Sequence, residues 1–353
     1  MRVAFVTEQT VFDDATEGRE RLHRIATQLA DRGHDVTVFC TRWWPDHDEF
    51  EARDGVTYRA VTDTKATPSF LARTPFLLAR YRPDVIHAAP DPPKAVAAAG
   101  LGGTLARAPL VVEWFGDEDV PDSRWTRRAA RKPATVVTPS ELVRTAVREI
   151  GASTDNTRVI PESIDASLVA DTEPDSDADI VYARDLDSDA NVETLLLGLA
   201  ELRQRDWSAT IIGEGPQREA YERQAADLRI DDRVSFVGDL PREERVAVYK
   251  GAHTFVHTAY TENFATELLW ALACGCVGIV QYQAESSAHE LIEQYPRSFR
   301  VSDDEGITEA IEDAGRYERL DADSELAATY DHDEIIERYL DLYRDLQAEH
   351  GVF

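Results

Sequence analysis

An acidic residue placed directly ahead of a predicted helix is the strongest chemical signal in this sequence. Glu262 lies between a short apolar run, Thr254–His257, and a helical segment that ends at Gly275. The first amide groups of a helix have no partner within the helix and lie at the positive end of its dipole, so they bind phosphate readily. A carboxylate just before them accepts hydrogen bonds from sugar hydroxyls. The spacing therefore indicates a site for a sugar phosphate.

Arg184 is the second residue with matching chemistry. It follows the apolar run Ile180–Tyr182, at the predicted carboxyl end of a strand. A guanidinium group has a fixed charge and a fork of donors that suits a diphosphate. Ligands of parallel α/β sheets bind at the carboxyl ends of the strands. We therefore expect Arg184 and Glu262 to face each other across one pocket.

Strand-like and helix-like patterns alternate along the whole chain, which is typical of a parallel α/β fold. The predicted strands are Val3–Thr7, Asp35–Cys40, Asp84–His87, Leu110–Glu113, Thr135–Thr138, Arg158–Ile160, Ile180–Tyr182, Ala209–Ile212, Val234–Val237 and Thr254–His257. The predicted helices include one that buries Leu22, Ile25, Ala26, Leu29 and Ala30, and those at Val192–Arg203, Gln217–Leu228 and Arg242–Tyr249. The pattern restarts after residue 179, so we expect each half to be a doubly wound sheet.

The length of 353 residues favours two domains over one core. Residues 171–179 are acidic and poor in apolar side chains, as is typical of a linker. We expect a Rossmann-like domain over residues 1–168, a linker over 169–179 and a second Rossmann-like domain over 180–330, facing each other across a cleft. Residues 331–353 are predicted to form a helix whose apolar face packs back across the domain junction.

The composition is strongly acidic and poor in lysine. The formal net charge is −29, and the chain has only four lysines, at positions 65, 94, 132 and 250. Such a surface keeps a protein hydrated in concentrated salt, which indicates a salt-loving host. The same charge repels nucleic acid, so we expect no nucleic-acid partner.

The cysteines and the apolar runs indicate the compartment. Cys40, Cys274 and Cys276 are odd in number and lack the spacing of a metal site, so we interpret them as buried apolar residues in a reducing compartment. No apolar run reaches the roughly 20 residues that span a bilayer, and Met1–Thr7 leads directly into a strand. We therefore expect a cytoplasmic protein without a signal peptide or an anchor.

Seven short motifs occur in order along the chain. They are Arg32-Gly-His-Asp-Val36, Pro83-Asp-Val-Ile-His87, Thr138-Pro-Ser140, Val159-Ile-Pro-Glu-Ser-Ile-Asp165, Ile212-Gly-Glu-Gly-Pro216, Val234-Ser-Phe-Val-Gly238 and the Glu262 segment. In this order they resemble the retaining glycosyltransferases of family 4, which have the GT-B fold of two Rossmann-like domains. The resemblance implies transfer of a sugar from a nucleotide diphosphate donor, held by the second domain, to an acceptor held by the first. It also implies that no metal or other cofactor is needed.

Several residues match the family pattern position by position. By resemblance, Glu262 is the first acid of the Glu-x7-Glu motif, which holds the donor sugar, and we expect it to be the catalytic residue. Arg184 is similar to the arginine that pairs with the diphosphate. The remaining donor-binding candidates are Phe264, Ala265 and Thr266 through their amides, Val237 beside the base, and Gly18 in the first glycine loop.

Four positions depart from that pattern. Trp270 stands where the second acid belongs, Phe115 where a histidine belongs, and Glu17 precedes Gly18 where a second glycine belongs; residues 185–191 also lack the expected lysine. Glu267 lies one turn before Trp270 and can replace the missing acid at the ribose, or Trp270 is simply part of the core. The alternative function is a catalytically degenerate member that acts as a binding or regulatory partner. A sugar-nucleotide 2-epimerase is a further alternative, but it needs other acids and histidines.

A cluster of basic residues falls on one predicted helix face. It consists of Arg124, Arg127, Arg128, Arg131 and Lys132. In so acidic a chain, it indicates either a solvated helix face or a contact with anionic headgroups at the inner membrane surface. The acceptor is then a lipid-linked phosphate or a glycan.

Three other residues or motifs are given structural roles. We interpret His87 as a hydrogen-bonded core histidine, because its strand is otherwise apolar. Ser140 lacks the setting of a nucleophile and is predicted to cap the following helix. Gly213-Glu-Gly215 lacks the spacing of a dinucleotide fingerprint and is predicted to be a turn.

Overall fold

The computed structural model describes residues 1–45, 48–118, 120–175, 178–202, 206–293 and 295–350. The chain divides into two compact units. Unit 1 comprises Met1–Pro161 together with the C-terminal residues from Ile335 onward, and unit 2 comprises Glu162–Glu334. The last helix therefore begins in unit 2 and returns the chain to unit 1.

Unit 1 is built on an eight-stranded sheet. Its elements are β1 (Arg2–Val6), α1 (Glu17–Asp31), β2 (Asp35–Thr41), β3 (Phe50–Arg53), β4 (Val56–Thr62), α2 (Thr67–Tyr81), β5 (Val85–Ala88), α3 (Pro93–Ala106), β6 (Leu110–Glu113), α4 (Arg124–Arg131), β7 (Thr135–Thr138), α5 (Glu141–Ile150) and β8 (Thr157–Val159). The strand order is β3-β4-β2-β1-β5-β6-β7-β8. The pairs are parallel except for the antiparallel hairpin of β3 and β4.

Unit 2 is built on a six-stranded parallel sheet. Its elements are α6 (Ala166–Asp171), β9 (Ile180–Ala183), α7 (Val192–Glu201), β10 (Ala209–Ile212), α8 (Arg218–Leu228), β11 (Val234–Gly238), α9 (Arg242–Gly251), β12 (Thr254–His257), β13 (Thr261–Glu262), α10 (Thr266–Ala273), β14 (Val277–Gln281), β15 (Glu285–Ser286), α11 (Ala288–Ile292), β16 (Ser298–Val301), α12 (Asp304–Ala314) and α13 (Ser324–Thr329), after which α14 (His332–Glu349) returns to unit 1. The strand order is β11-β10-β9-β12-β14-β16, and β13 pairs with β15 in a separate ribbon.

Each sheet has one point at which the strand order reverses. It lies between β1 and β5 in unit 1 and between β9 and β12 in unit 2. The connections leave opposite faces of the sheet at such a point, so a crevice opens at the carboxyl ends of the two strands. The fold thus places one potential binding site on each unit.

The core of unit 1 includes the last helix. Ile335, Tyr339 and Tyr343 of α14 are buried in the same cluster as Phe5 of β1 and Leu29 of α1. These residues lie on one face of α14, as the apolar periodicity predicts. Helix α14 thus contributes to the hydrophobic core of unit 1.

The predicted fold class is confirmed: both units are doubly wound, Rossmann-like α/β sheets. Four strands of the two main sheets were not predicted, namely β3, β4, β14 and β16. The predicted helix Val192–Arg203 ends at Glu201 in the structure, and Arg203 lies outside the described residues. Within the predicted linker segment, α6 extends to Asp171, while residues 176 and 177 lie outside the described residues.

Candidate functional site

The structure brings Arg184 and Glu262 together in unit 2. Arg184 Nη1 donates to Glu262 Oε2 at 3.2 Å and to the Thr261 carbonyl oxygen at 2.7 Å. Arg184 directly follows β9, and Glu262 lies in the short strand after β12, so the pair flanks the point of strand reversal. Their side chains are 19% and 12% exposed. Both groups are therefore largely buried yet reachable from solvent.

The backbone on each side of the pair is held in place. Gly213 has φ of +135°, and a Cβ there would lie 2.0 Å from the Arg184 carbonyl oxygen. Only glycine tolerates both conditions, so Gly213 lets the chain after β10 pass close to the Arg184 carbonyl; the structure places Gly213 in a β-bridge with Gly238 and the turn at residues 216 and 217. On the other side, Glu262 pairs with Ser286 of β15, and the Ser287 amide donates to the Glu262 carbonyl at 2.8 Å.

Burial sets the protonation of the two acid–base groups in the site. Burial raises the pKa of Glu262 to about 7, although the Arg184 charge opposes the shift. Burial, together with the Arg184 charge, lowers the pKa of His257 to about 3. His257 Nε2 lies 3.9 Å from Glu262 Oε2 and has no hydrogen-bond partner among the described residues. The site thus holds a neutral imidazole beside a carboxyl group that titrates near neutral pH.

Helix α10 begins directly after this pair, as the sequence predicts. Phe264 and Ala265 are buried at its start, and Thr266 is its first residue. The Thr266 amide donates to the Phe264 carbonyl at 2.9 Å. The amides of Phe264 and Ala265 donate to no acceptor within the described chain. The positive end of α10 is therefore next to Glu262, which is the arrangement that favours an anion.

Glu267 is bound on both of its carboxylate oxygens. Arg242 donates to both, at 2.8 and 2.9 Å, while Arg245 donates to one and the Tyr249 hydroxyl to the other. A carboxylate offers about four acceptor positions, and all four are in use. Ribose binding by Glu267 would require it to exchange one of these partners.

Trp270 is packed into the interior, as expected from its apolar neighbours. It is 5% exposed, and the Arg242 guanidinium lies 5.0 Å from its ring centroid. The indole therefore occupies the position at which the family resemblance implies a second acid, and it is covered by an arginine that is itself paired with Glu267.

The remaining donor-site candidates are Val237 in unit 2 and Gly18 in unit 1. Val237, on β11, is 42% exposed. Gly18 belongs to unit 1, where its amide donates to Asp117 Oδ2 at 2.9 Å, so a carboxylate of the chain already occupies that donor. Phe115, at the position where the family resemblance implies a histidine, is buried beside Gly18.

The basic cluster lies on α4 of unit 1. All five of its members, Arg124, Arg127, Arg128, Arg131 and Lys132, are exposed. The helix starts at Ser123, whose hydroxyl accepts from the Thr126 amide, and its inner face buries Ala129 and Ala130. The predicted exposed basic face is therefore present.

The residues with predicted structural roles hold those roles. His87 is buried between Tyr343 and Glu113, with ring nitrogens 2.6 and 3.0 Å from their oxygens. Ser140 caps α5 by accepting from the Val143 amide. The three cysteines are free and buried.

Sequence reasoning missed His257, Arg242, Arg245 and Tyr249. His257 carries a sequence signal, since it ends the strand that leads to Glu262. No sequence signal marks the two arginines and the tyrosine, because their role depends on the packing of α9 against α10.

Two family descriptions match consecutive parts of the chain. "Glycosyl transferase 4-like domain" matches residues 17–162, and "Glycosyl transferases group 1" matches residues 164–325. In the part of the chain that the structure describes, helices fall short of the length and apolar character needed to cross a bilayer.

Two curated relatives are similar over most of their length. The GDP-mannose-dependent alpha-(1-6)-phosphatidylinositol monomannoside mannosyltransferase of Mycolicibacterium smegmatis is 27% identical over 282 residues, which are 69% of this chain and 71% of the relative. The alpha-monoglucosyldiacylglycerol synthase of Streptococcus pneumoniae is 21% identical over 317 residues, which are 78% of this chain and 70% of the relative.

Solved structures show the same fold along almost the whole chain. A glycosyltransferase from Rickettsia africae has a TM-score of 0.78 at 14% identity and covers 98% of both chains. Anabaena HepE in complex with UDP has a TM-score of 0.76 at 16% identity and covers 98% of this chain and 100% of its own. Together with the family matches, these similarities show that the chain is a glycosyltransferase of the family 4 type with the GT-B fold.

Proposed function

We propose that this enzyme transfers a hexose, with retention, from a nucleotide diphosphate sugar bound by unit 2 to a lipid-linked acceptor bound by unit 1. The observation that carries the proposal is the Arg184–Glu262 pair at the point of strand reversal, next to the start of α10. Retention follows from the family resemblance, in which the departing diphosphate helps to deprotonate the acceptor on the same face of the sugar.

The chemistry of the pair suits a sugar diphosphate. Arg184 and the amides at the start of α10 supply the positive charge that a diphosphate needs, so the transfer is proposed to proceed without a metal. Glu262 supplies acceptors for the hydroxyls of the donor sugar. Because its pKa is raised, Glu262 is a charged hydrogen-bond acceptor mainly above neutral pH, or once a positively charged group approaches it.

Two observations support a lipid acceptor. Both curated relatives carry a lipid in their names, a phosphatidylinositol monomannoside and a diacylglycerol. In addition, α4 presents five exposed cations in a chain of net charge −29. Such a face contacts anionic headgroups, so we propose peripheral binding at the inner membrane surface, from the cytoplasm.

Ligand binding tests the donor half of the proposal. Thermal shift with GDP-mannose and UDP-glucose should raise the melting temperature of the full chain, since a ligand at 100 times its Kd adds about 2.7 kcal/mol. Arg184→Ala should weaken GDP or UDP binding about tenfold to 150-fold, from the loss of one charge-assisted bond. Binding of the nucleoside without phosphates should not change.

Two controls separate binding from folding. Arg184→Lys keeps the charge and should retain part of the affinity, while Arg223→Ala, on the exposed face of α8, should leave binding unchanged. The proposal fails if Arg184→Ala lowers the melting temperature of the ligand-free protein by as much as it lowers the increase caused by ligand. Arg184 would then act in folding and not in binding. Loss of sugar transfer in the presence of EDTA would contradict the proposal that the reaction needs no metal ion.

A further inference from the structure

A groove of about 650 Å³ lies on unit 1 between α3 and α4. Its apolar lining includes Val96, Leu101 and Leu110. Its cationic lining consists of Arg107, which follows α3, Arg128 of α4, and Lys132, which follows α4. One concave surface thus combines an apolar wall with three positive charges.

Two glycines of α3, Gly100 and Gly103, line the groove. A Cβ at Gly103 would lie 2.8 Å from the Ala108 carbonyl oxygen, so the helix can approach the following loop only with a bare backbone. Gly100 lines the groove without adding a side chain. Leu101 and Leu105, one turn apart on α3, are each 55% exposed and extend the apolar surface toward solvent.

Two basic neighbours of the groove cations have hydrogen-bond partners within the chain. Arg127 donates to Asp122 at 2.9 Å, and Arg131 donates to the Gly151 carbonyl at 3.2 Å. By contrast, the side chains of Arg107, Arg128 and Lys132 make no hydrogen bond or ion pair with any described residue.

The composition of the chain is strongly acidic. It has 67 acidic residues against 38 basic ones, so three cations that line one groove form a local positive patch on an otherwise acidic chain. Like charges that converge without a counter-charge repel each other, and an anion from outside the chain would offset that repulsion. The groove is therefore complementary to a negatively charged ligand.

We propose that the groove between α3 and α4 binds an anionic phospholipid of the membrane surface. Its phosphate lies against Arg107, Arg128 and Lys132, and its chain lies along the wall of Leu101. An inorganic phosphate would use only the cations and a neutral lipid only the apolar wall, whereas an anionic lipid uses both. The inference deepens the proposed function, because it assigns a specific lipid site to an enzyme whose acceptor is proposed to be a lipid.

Vesicle binding by the full chain tests the site. Wild type should co-sediment with dioleoylphosphatidylglycerol vesicles and not with dioleoylphosphatidylcholine vesicles. Arg128→Gln together with Lys132→Gln should reduce partition about thirtyfold, which corresponds to two contacts of about 1 kcal/mol each. The control variant combines Arg223→Gln, on α8 of unit 2, with Arg229→Gln, directly after α8. It removes the same number of positive charges and should change partition little.

A second variant distinguishes a groove from a flat charged surface. Ala97 lines the groove, so Ala97→Trp should fill it without changing any charge and should also reduce partition. Unchanged partition in that variant, or an equal loss in the α8 control, overturns the lipid site. Full competition by millimolar glycerol phosphate overturns it too, because the site would then bind free phosphate.

The outcome is separable from that of the proposed function. GDP and UDP binding, measured without vesicles, reports on unit 2 alone and should be the same in wild type and in all three variants. Loss of vesicle binding with intact nucleotide binding therefore supports the lipid site, and failure of nucleotide binding in wild type counts against the proposed function only.

Discussion

The guanidinium of Arg242 lies 5.0 Å from the ring centroid of Trp270 and at the same time binds the carboxylate of Glu267. The arginine thus links two residues that are one turn apart on α10. Because the indole is 5% exposed, this contact leaves little of the helix surface open at position 270, where the family resemblance implies a second acid.

Trp270→Glu should destabilise the fold by about 3–5 kcal/mol, because it removes a buried indole and places a carboxylate in an apolar setting. Urea unfolding of the two proteins measures the difference. Trp270→Phe, which keeps an aromatic ring, should cost less. If the Glu variant is as stable as wild type and binds nucleotide diphosphate more tightly, position 270 is an open ribose site instead of part of the core.

Glu262→Gln should make the free protein more stable at high pH. The folded pKa of about 7 exceeds the ordinary value of 4.5, so the folded state binds more protons between these two pH values. Wild type therefore loses stability as pH rises from about 4.5 to 7, by about 3 kcal/mol in all, and the Gln variant does not.

Urea unfolding of both proteins at several pH values checks the Glu262 prediction. The stability of Glu262→Gln relative to wild type should rise across this window and level off above pH 7. A difference that is constant with pH would show that Glu262 titrates normally. The variant should also bind nucleotide sugars less well than wild type, while binding of the plain nucleoside is retained.

Tyr249→Phe should cost about 1.5–3 kcal/mol, because the Tyr249 hydroxyl donates to the charged carboxylate of Glu267. A double-mutant cycle with Glu267→Gln isolates that bond. Either single substitution should remove the bond, so the double variant should cost less than the sum of the two single costs. Additive effects of the two substitutions would mean that the tyrosine stabilises α9 through its ring alone.

Stability should increase with KCl concentration. The net charge of −29 makes the folded chain repel itself, and salt screens that repulsion. Thermal melting from low to molar KCl should show a rising melting temperature, and potassium and sodium chloride should act alike if screening is the cause. A melting temperature that is independent of salt would remove the physical basis for a salt-loving host.

The fold could be predicted because buried parallel strands are continuous apolar runs. Leu110–Glu113, Thr135–Thr138 and Ala209–Ile212 have the same bounds in the sequence prediction and in the structure. Strand β3 was missed because Phe50–Arg53 is a short, mostly exposed edge strand without an apolar run. Strand β14 was missed because its apolar run follows the apolar helix α10 after a single glycine turn.

The site was predictable only where chain order determines position. Arg184 and Glu262 each follow a strand of one sheet, so their proximity follows from topology. The partners of Glu267 come from α9, earlier in the chain, and no local pattern links them to it. The hydrogen bond from the Gly18 amide to the Asp117 carboxylate could not be predicted for the same reason, because the two residues are far apart in the sequence and meet only in the folded chain.

The buried position of α14 has a consequence for biosynthesis. Unit 2 ends at Glu334, whereas the core of unit 1 needs Ile335, Tyr339 and Tyr343. On the ribosome, residues 1–161 emerge first but lack the helix that covers part of their core until α14 has emerged as well. The later half of the nascent chain is therefore the first to have all of its own residues, which reverses the usual order of co-translational folding.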